Sequence, residues 1–467
     1  MKDFEALVAT LALGDLADAR RAERVAIVGP ETTVTYARLE AQVTQAANDL
    51  AARGVSEGRV VAIRIPPSRT LIRVVLATWR LGATLVLLDH RATQAEVKSW
   101  LELVGPDFVL ESGRDAATSL RLKDDVPFVI TQRAAANATL ADYALIQFTS
   151  GSTGRPKVIA RTADSLLREA ARIDSLSEFI RPSDRVLLLS SMQHSFGLLA
   201  GALNVLRHGS QLILPRSALP RDLASGLERG ASVVLGVPFH FRLLAALPRS
   251  LRTPHLRLAI SGGERLPEQV AHDFRARFGL SIGQAYGTTE TGLLAFQAEA
   301  AAGSIGRLLS GVEAQVQQGE LSVRLAHSPY LSKDIDGLYR DGWLYTRDLV
   351  ELAADTRQLH LRGRADSLVV IGGLKIYLAE VEDRLREAPG VRDVVVLQTD
   401  QIEAFVATDE GVAGDEIMSW CRERLSAFKV PKRLHVARAL PRSATGKTLC
   451  NLTALLAATK DPDAAGC

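Results

Sequence analysis

Residues 148–157, FTSGSTGRPK, combine glycines, hydroxyl side chains and cations in one short loop that follows a predicted strand. Gly151 and Gly154 permit backbone conformations that other residues resist, so successive N–H groups can surround an anion. A solvated turn can have the same composition, and the loop alone does not separate the two interpretations. The candidate phosphate contacts are Thr149, Ser150, Gly151, Ser152, Thr153, Gly154 and Lys157.

This loop differs from the common nucleotide-binding P-loop, which requires G-x-x-x-x-G-K-[ST]. Only Ser152 and Thr153 separate its two glycines, and Arg155-Pro156 precedes the lysine. A second candidate, Gly446-Lys447-Thr448, has Pro441 where the first glycine is needed. A Walker-type ATPase is therefore disfavoured.

The elements that must position such a loop form three patterns. Apolar runs alternate with helical patterns from about residue 58 to 290, which predicts parallel sheets flanked by helices. From about residue 311, EAQVQ and ELSVRL predict antiparallel strands around a Gln-Gly turn. The last hundred or so residues predict a small α+β unit, with Leu378, Val381 and Leu385 on one helix face.

The fold class is therefore α/β. We expect a large N-terminal domain, residues 1–365, with parallel-rich sheets flanked by helices plus a β-subdomain. A small mobile α+β domain should occupy residues 366–467.

Length and composition bound the class of protein. A chain of 467 residues is too long for one core, and its net charge of +3 gives no reason to expect nucleic acid as a partner. The three cysteines have no metal-ligand spacing, which favours a reducing compartment. The N-terminus lacks the pattern of a signal peptide, and no apolar stretch is long enough for a membrane span. We expect a cytoplasmic protein.

Five further stretches follow the first loop in a fixed order. Together with it, they resemble the acyl-adenylate-forming superfamily, which includes acyl- and aryl-CoA ligases, peptide-synthetase adenylation domains and luciferases. The resemblance covers nearly the whole chain, and the joint match is far more specific than any single motif. The five are SGGERLP (261–267), AYGTTETG (285–292), DGWLYTRDL (341–349), LRGRADSLVVIGGLKIYLAEVE (361–382) and LPRSATGKTL (440–449).

The resemblance implies a reaction in two halves. A carboxylate attacks the α-phosphate of ATP, which gives an acyl-AMP and pyrophosphate. The thiol of CoA, or of the phosphopantetheine on a separate acyl or peptidyl carrier protein, then displaces AMP. ATP and Mg²⁺ are implied cofactors, and no nucleic acid is implied.

The resemblance also implies roles on the nucleotide side. The 149–157 loop would bind the β- and γ-phosphates, and Tyr286 would stack on adenine. Thr289 would contact the α-phosphate, and Glu290 would hold Mg²⁺. Asp348 would accept hydrogen bonds from the ribose hydroxyls, and Arg364 would make a second contact, to the ribose or to a phosphate. The remaining residues expected to line the nucleotide site are Gly263, Glu264, Ala285 and Gly287.

In the small domain the resemblance implies two faces that act in turn. Lys447 would bridge the acid and the α-phosphate in the first half-reaction. Gly373, with Leu374, would border the tunnel for the thiol in the second. Asp366 would be the hinge between the two arrangements.

One departure from the family concerns the backbone. The family has Thr-Gly-Asp where this chain has Thr346-Arg347-Asp348. Arginine is disfavoured at positive φ, so we expect Arg347 to have a negative φ and Asp348 to be retained.

The acid pocket is expected around a stretch that resembles the HxxG segment of acyl- and aryl-CoA ligases, in which His194 would act at the carboxylate end. A core histidine bonded to backbone is the alternative for His194. The stretch 189–203 has no carboxylate to pair an α-ammonium group, so an aryl or aliphatic acid is favoured over an amino acid. The expected lining residues are His194, Phe196, Gly197, Val237, Phe239 and Gly262.

Two other functions stay open at this point. One is transfer of the acyl group from acyl-AMP to an amine, and the other is a non-catalytic nucleotide-binding relative. The presence of Glu290, Asp348, Arg364 and Lys447 argues against the second.

Overall fold

The computed structural model describes thirteen stretches of the chain and forms two compact units. The first unit comprises Met1–Glu313, Val323–Leu344 and Ala353–Leu359, and the second comprises Ala314–Ser322, Tyr345–Leu352 and His360–Cys467. The boundary expected near Asp366 stays a prediction, because that residue lies outside the described part. The described residues are 7, 19–113, 122–133, 140–149, 157–299, 303–331, 337–353, 355–365, 368–371, 374–399, 401–425, 429–442 and 448–460.

The strands are numbered along the chain. They are β1 (Val25–Val28), β2 (Thr33–Thr35), β3 (Val60–Arg64), β4 (Thr84–Leu87), β5 (Phe108–Ser112), β6 (Phe128–Gln132), β7 (Leu145–Thr149), β8 (Lys157–Arg161), β9 (Arg185–Leu188), β10 (Gln211–Ile213), β11 (Val233–Gly236), β12 (Leu258–Gly262), β13 (Ile282–Thr288), β14 (Gly292–Gln297), β15 (Ser304–Leu308), β16 (Ala314–Gln317), β17 (Glu320–Arg324), β18 (Tyr339–Arg340), β19 (Trp343–Ala353), β20 (Gln358–Arg364), β21 (Leu368–Ile371), β22 (Leu374–Tyr377), β23 (Val391–Gln398), β24 (Ile402–Thr408) and β25 (Arg433–Ala437).

The helices are numbered in the same way. They are α1 (Ala19–Ala22), α2 (Tyr36–Ala51), α3 (Arg69–Arg80), α4 (Gln94–Val104), α5 (Ala163–Asp174), α6 (Asn204–Arg207), α7 (Pro220–Glu228), α8 (Pro238–Ala245), α9 (Glu268–Phe278), α10 (Leu378–Arg386), α11 (Gly414–Arg424) and α12 (Leu452–Lys460), with a π-helix at Phe196–Leu203.

One sheet of the first unit has the order β6-β5-β3-β4-β7-β8. Strands β5, β3, β4 and β7 pair in parallel, and β6 and β8 are antiparallel at the two edges. All five residues of β3 are buried, which is typical of a central parallel strand covered on both faces.

The other sheet of the first unit has the order β15-β14-β13-β12-β11-β9-β10-β1-β2. Its strands from β13 through β1 in that order pair in parallel, as the apolar runs of the sequence predict. Because the carboxyl ends of parallel strands meet at one edge, the segments after β9, β11, β12 and β13 lie at the same edge. Those segments carry most of the residues expected to contact the acid and adenine.

The second unit is small and α+β, as expected. Strands β23 and β24 are antiparallel, and β24 and β25 are parallel. Helix α10 packs against this sheet through Leu378, Val381 and Leu385, the residues predicted to share one face. The runs EAQVQ and ELSVRL form the neighbouring strands β16 and β17.

The expectation for Arg347 is wrong. Its φ is 64°, in the left-handed region. Two hydrogen bonds within the second unit hold this backbone: Arg347 N–H donates to Glu320 Oε1 at 2.9 Å, and Thr346 Oγ1 donates to the Leu321 carbonyl at 2.8 Å. These contacts offset a conformation that costs roughly 1–2 kcal/mol for a residue with a Cβ atom.

No helix in the described part of the chain combines the length and the apolar composition needed to cross a membrane.

Candidate active site

The two ends of the predicted phosphate loop are held together by strand pairing. Thr149, the last residue of β7, lies opposite Lys157, the first residue of β8, in an antiparallel register. The strands that precede and follow the loop are therefore neighbours in the sheet that contains β7 and β8. The expected phosphate contacts Ser150, Gly151, Ser152, Thr153 and Gly154 lie outside the described residues.

A buried amide connects this strand to the predicted acid pocket. Gln147, two residues before Thr149, accepts a hydrogen bond from Ser195 Oγ at 2.6 Å and donates one to the Gln193 carbonyl at 3.3 Å. Gln193 Oε1 lies 2.7 Å from His90 Nδ1, and all four of these side chains are buried. The network fixes the segment that carries His194.

His194 itself is exposed, which does not fit the alternative of a core histidine. Its backbone N–H donates to the Ser191 carbonyl at 3.2 Å, and its backbone carbonyl accepts from Leu198 N–H at 2.9 Å. The next turn requires a glycine, because a Cβ atom at Gly197 would lie 2.1 Å from the Ser191 carbonyl oxygen.

Phe196 and Gly262 are in contact. A Cβ atom at position 262 would lie 2.8 Å from Phe196 Cζ, so the absence of a side chain on Gly262 provides the space for the ring. Gly262 also pairs with Ala285 in the parallel register of β12 and β13. The structure thus brings together a residue expected in the acid pocket and a residue expected on the adenine side.

The segment after β11 forms the other expected wall. Val237 is buried and precedes α8, and its backbone N–H donates to His240 Nδ1 at 3.2 Å. Burial lowers the pKa of His240 to about 4, so the ring is neutral near pH 7 and can accept this bond. The ring of Phe239, in the first turn of α8, lies edge-on to His240 with 5.8 Å between ring centres.

The residues expected on the adenine side follow β12 and lie along β13. Gly263 has a φ of 83°, which suits a sharp turn out of β12 into Glu264. Tyr286 is half-buried and pairs with Ala295 of β14. At Gly287, a Cβ atom would lie 2.2 Å from the Gly292 carbonyl oxygen, so the strands can approach only with glycine there.

Thr289 and Glu290 lie in the turn between β13 and β14. Thr288 and Thr291 bracket this turn, with their hydroxyl oxygens 3.1 Å apart. Thr289 and Glu290 are both half-buried.

A buried ion pair contacts the strand that follows this turn. Arg161 Nη1 donates to Glu169 Oε2 at 2.6 Å, and Glu169 Oε1 accepts from Leu293 N–H at 3.0 Å. Arg161 and Glu169 are 2% and 3% exposed, so neither charge is satisfied by bulk water. Arg172 adds a hydrogen bond to the Thr291 carbonyl at 3.0 Å.

Glu290 has a neighbour that the sequence did not indicate. Tyr330 Oη donates to Glu290 Oε1 at 3.1 Å, and Lys157 Nζ lies 6.0 Å from the centre of the Tyr330 ring. One aromatic side chain therefore contacts both the expected metal carboxylate and an expected phosphate cation.

Asp348 and Arg364 lie in the second unit and contact each other. Arg364 Nη1 donates to Asp348 Oδ1 at 2.9 Å, and Asp348 is 6% exposed. The resemblance expected both residues at one ligand, and the structure brings them together.

The remaining residues expected in the small domain are only partly described. Asp366, Gly373 and Lys447 lie outside the described residues, and of Leu374 only the backbone is described, where it pairs with Ile371. The segment beside Lys447 is anchored, because Arg442 and Thr448 form a backbone bridge and both side chains donate to Asp393 Oδ2.

Sequence reasoning missed Tyr330, Gln147 and the Arg161–Glu169 pair. Gln147 had a signal, since it is a polar residue within the apolar run YALIQF. Tyr330 had none, because it is 40 positions from Glu290 in the chain.

The fold is that of the adenylate-forming enzymes. The ATP-bound structure of MatB from Rhodopseudomonas palustris superposes with a TM-score of 0.81 at 24% identity, over 98% of this chain and 99% of that one. The structure of O-succinylbenzoate coenzyme A synthetase from Bacillus subtilis, in complex with ATP and magnesium ion, has a TM-score of 0.77 at 25% identity, over 95% of this chain and 98% of that one.

Two sequence models define the family more narrowly. The model of the AMP-binding enzymes matches residues 15–324, and the model of the AMP-binding enzyme C-terminal domain matches residues 380–447. The chain belongs to the AMP-binding enzyme family. Among its relatives, a feruloyl-CoA synthase of Amycolatopsis sp is 29% identical in an alignment of 464 positions that covers 90% of this chain and 93% of that protein.

Proposed function

We propose that this chain is an AMP-forming acid–CoA ligase. It activates an aryl or aliphatic carboxylic acid with ATP, which gives an acyl-AMP and pyrophosphate, and it then transfers the acyl group to the thiol of CoA. Membership of the AMP-binding family supports the first half, and similarity to a feruloyl-CoA synthase supports the second.

The observation that carries the proposal is the pairing of Gly262 with Ala285 between β12 and β13. Gly262 contacts the apolar ring of Phe196, whereas Ala285 is followed directly by Tyr286, the residue assigned to adenine. An acid on one side and a nucleotide on the other would meet at this edge of the sheet. Proximity of this kind can supply a large part of the rate enhancement.

In the first half-reaction, a carboxylate oxygen of the acid bonds to the α-phosphorus of ATP, and the bond from that phosphorus to pyrophosphate breaks. Charge spreads over the phosphoryl oxygens, so donors and cations stabilise the transition state and no base is needed. We assign Thr289 to the α-phosphate, Lys157 and the 149–154 loop to the β- and γ-phosphates, and Lys447 to the bridge between acid and phosphate.

In the second half-reaction, the thiol of CoA releases its proton to water, its sulfur bonds to the acyl carbon, and AMP leaves with the electrons of the carbon–oxygen bond. We assign Gly373 and Leu374 to the thiol path and Asp366 to the hinge between the two half-reactions. His194 is assigned to the carboxylate end of the acid pocket.

The remaining assignments concern the nucleotide. Asp348 would contact the ribose hydroxyls and Arg364 the ribose or a phosphate, and the ion pair between them holds the carboxylate in one orientation. Gly263, Glu264 and Gly287 would line the adenine side.

The donor set at Glu290 fits a metal ion that arrives with the nucleotide. Mg²⁺ is commonly bound by one or two carboxylates together with substrate phosphates and water. In the described part of the chain, no group of three or more His, Cys, Asp or Glu side chains could form an all-protein site. When bound, the ion would offset the charge of the phosphates, and Glu290 would hold it.

An acid panel tests the proposal. Acid-dependent exchange of labelled pyrophosphate into ATP should occur with an aryl or aliphatic acid and not with proteinogenic amino acids. The best acid is then incubated with ATP and CoA, and the thioester is measured by mass spectrometry. Exchange with amino acids alone would contradict the proposed acid class.

The same assay separates the alternatives. If a thioester forms only on a phosphopantetheinylated carrier protein, the acceptor is that carrier protein and not CoA. If a product forms only with an added amine, the second half-reaction makes an amide and not a thioester. Nucleotide binding without exchange for any acid would indicate a non-catalytic relative.

A further inference from the structure

We propose that Tyr330 is a positioning residue that holds the Glu290 carboxylate in the orientation needed to bind a divalent cation on ATP. This inference rests on the proposed function, because it takes Glu290 as the metal carboxylate. Its physical basis is the hydrogen bond from Tyr330 Oη to Glu290 Oε1, at 3.1 Å.

The backbone of Tyr330 is fixed by the strand that follows the phosphate loop. Tyr330 forms a bridge with Ile159 of β8. On either side of it, Ala160 N–H donates to the Pro329 carbonyl at 2.8 Å, and Leu331 N–H donates to the Val158 carbonyl at 3.2 Å. The segment 329–331 therefore acts as a short extra strand on β8.

The side chain is fixed as well. Tyr330 is 9% exposed and packs in a small apolar cluster with Ile159, Leu338 and Leu344. A ring held on these sides has little rotational freedom, so its hydroxyl occupies a nearly constant position. Glu290, by contrast, lies in a turn and is only half-buried.

The hydrogen bond has a consequence for the carboxylate. A fixed donor to Oε1 restricts the rotation of the Glu290 side chain, which lowers the entropy that metal binding would otherwise remove. Partners that orient a metal-binding carboxylate typically change metal affinity by 10–100-fold when they are removed. The Tyr330 ring also lies near Lys157, with 6.0 Å between the ring centre and Lys157 Nζ.

The test uses Tyr330→Phe, which removes the hydroxyl and keeps the ring in its cluster. Tyr339→Phe is the matched control. Tyr339 packs against the same cluster, and its hydroxyl donates to the Leu325 carbonyl at 3.0 Å rather than to Glu290. Both substitutions remove one tyrosine hydroxyl from the same region.

The primary measurement is equilibrium binding of a non-hydrolysable ATP analogue by calorimetry, with Mg²⁺ varied and also omitted. We expect Tyr330→Phe to raise the Mg²⁺ concentration for half-maximal enhancement of binding about tenfold. Binding without metal should stay unchanged, and Tyr339→Phe should match the wild type. Glu290→Gln should weaken the metal dependence at least as much, and adding Tyr330→Phe to it should have little further effect.

Three outcomes would overturn the inference. Tyr330→Phe could leave the Mg²⁺ dependence unchanged while Glu290→Gln alters it, and the proposed function would then survive alone. Tyr330→Phe could weaken binding equally with and without metal, which is the result of a purely structural role. Finally, Glu290→Gln could leave the Mg²⁺ dependence unchanged, and the metal assignment would fail together with the inference even if acid-dependent exchange is intact.

Discussion

The ring of Phe196 lies so close to Gly262 that a Cβ atom at position 262 would come within 2.8 Å of Cζ, 2.9 Å of Cε1 and 3.0 Å of Cε2. Three ring atoms are therefore in range of one absent methyl group. Because Gly262 has no side chain, the Phe196 ring can pack against strand β12. The two residues together define this side of the proposed acid pocket.

Gly262→Ala should therefore impair acid use. The added methyl group forces the ring to move, and overpacking of this kind costs about 1–3 kcal/mol. We expect kcat/KM for the best acid to fall about tenfold or more, with a smaller change in KM for ATP. The measurement is pyrophosphate exchange at varied acid concentration. Phe196→Leu in the Gly262→Ala background should restore part of the loss, and an unchanged kcat/KM for the acid in the single variant would contradict the assignment.

Arg347→Gly should stabilise the protein. Arg347 has a φ of 64°, and glycine adopts this conformation without the clash of a Cβ atom. The bond from its N–H to Glu320 does not need the side chain and should persist. We expect a gain of about 1 kcal/mol, reduced somewhat by the greater freedom of glycine in the unfolded chain. Thermal and urea unfolding would measure it.

A matched control is Arg362→Gly, in β20, where the backbone does not have a positive φ. Glycine there should lower the stability, because a strand gains nothing from its freedom. Equal losses in both variants would show that the left-handed backbone of Arg347 carries no strain.

His240 should make stability depend on pH. Burial lowers the pKa of His240 to about 4 in the folded protein, whereas an unfolded histidine titrates near 6.5. The unfolded state thus binds more protons between these values, and stability should fall as the pH decreases from about 6.5 to 4, by up to about 3 kcal/mol. Below that range the contribution should be constant.

The check is urea unfolding between pH 4 and pH 7. His240→Gln should reduce the slope, because a glutamine at this position can accept from Val237 N–H without titrating. His272→Gln is the control, since the His272 side chain is 77% exposed, and it should leave the slope unchanged. The hypothesis fails if His240→Gln and the wild type lose stability in parallel.

Lys447 and Gly373 should separate the two half-reactions. Removal of one charge-stabilising donor typically lowers the rate on the order of a hundredfold or more, so Lys447→Ala should lose most adenylation. It should still convert supplied acyl-AMP to the thioester. Gly373→Leu should narrow the thiol path, and should therefore keep pyrophosphate exchange and lose thioester formation.

Both activities are measured for each variant: exchange from ATP, and thioester release from presynthesised acyl-AMP. Circular dichroism confirms that each variant is folded. If both folded variants lose both activities to the same extent, the two residues do not act on separate steps.

The sequence predicted most of the sheet framework, for a physical reason. Strands such as β3 and β12 are buried on both faces, so they appear as continuous apolar runs, and α10 shows its buried face as a helical period. These patterns are local. They are set by burial of each element and need no knowledge of distant residues.

The contacts of the candidate site could not be predicted in the same way. Tyr330 and Glu290 are 40 positions apart, and Gln147 and Ser195 are 48 apart, so no spacing relates them. The error at Arg347 has the same origin. Its backbone is supported by hydrogen bonds from Arg347 and Thr346 to Glu320 and Leu321 of β17, which are 27 and 25 positions away. The family resemblance implied roles for individual residues, but it contained no information about their contact partners.

The buried pair of Arg161 and Glu169 has a consequence for how the sequence can drift over evolutionary time. Replacing either residue alone leaves a buried charge without its counterion, which typically costs 3–5 kcal/mol, so a lone replacement would be purged by selection. Homologues should therefore keep both residues or lose both, and the two positions should covary. Glu169 also binds the Leu293 amide, so lineages that lose the pair should show a compensating change near position 293.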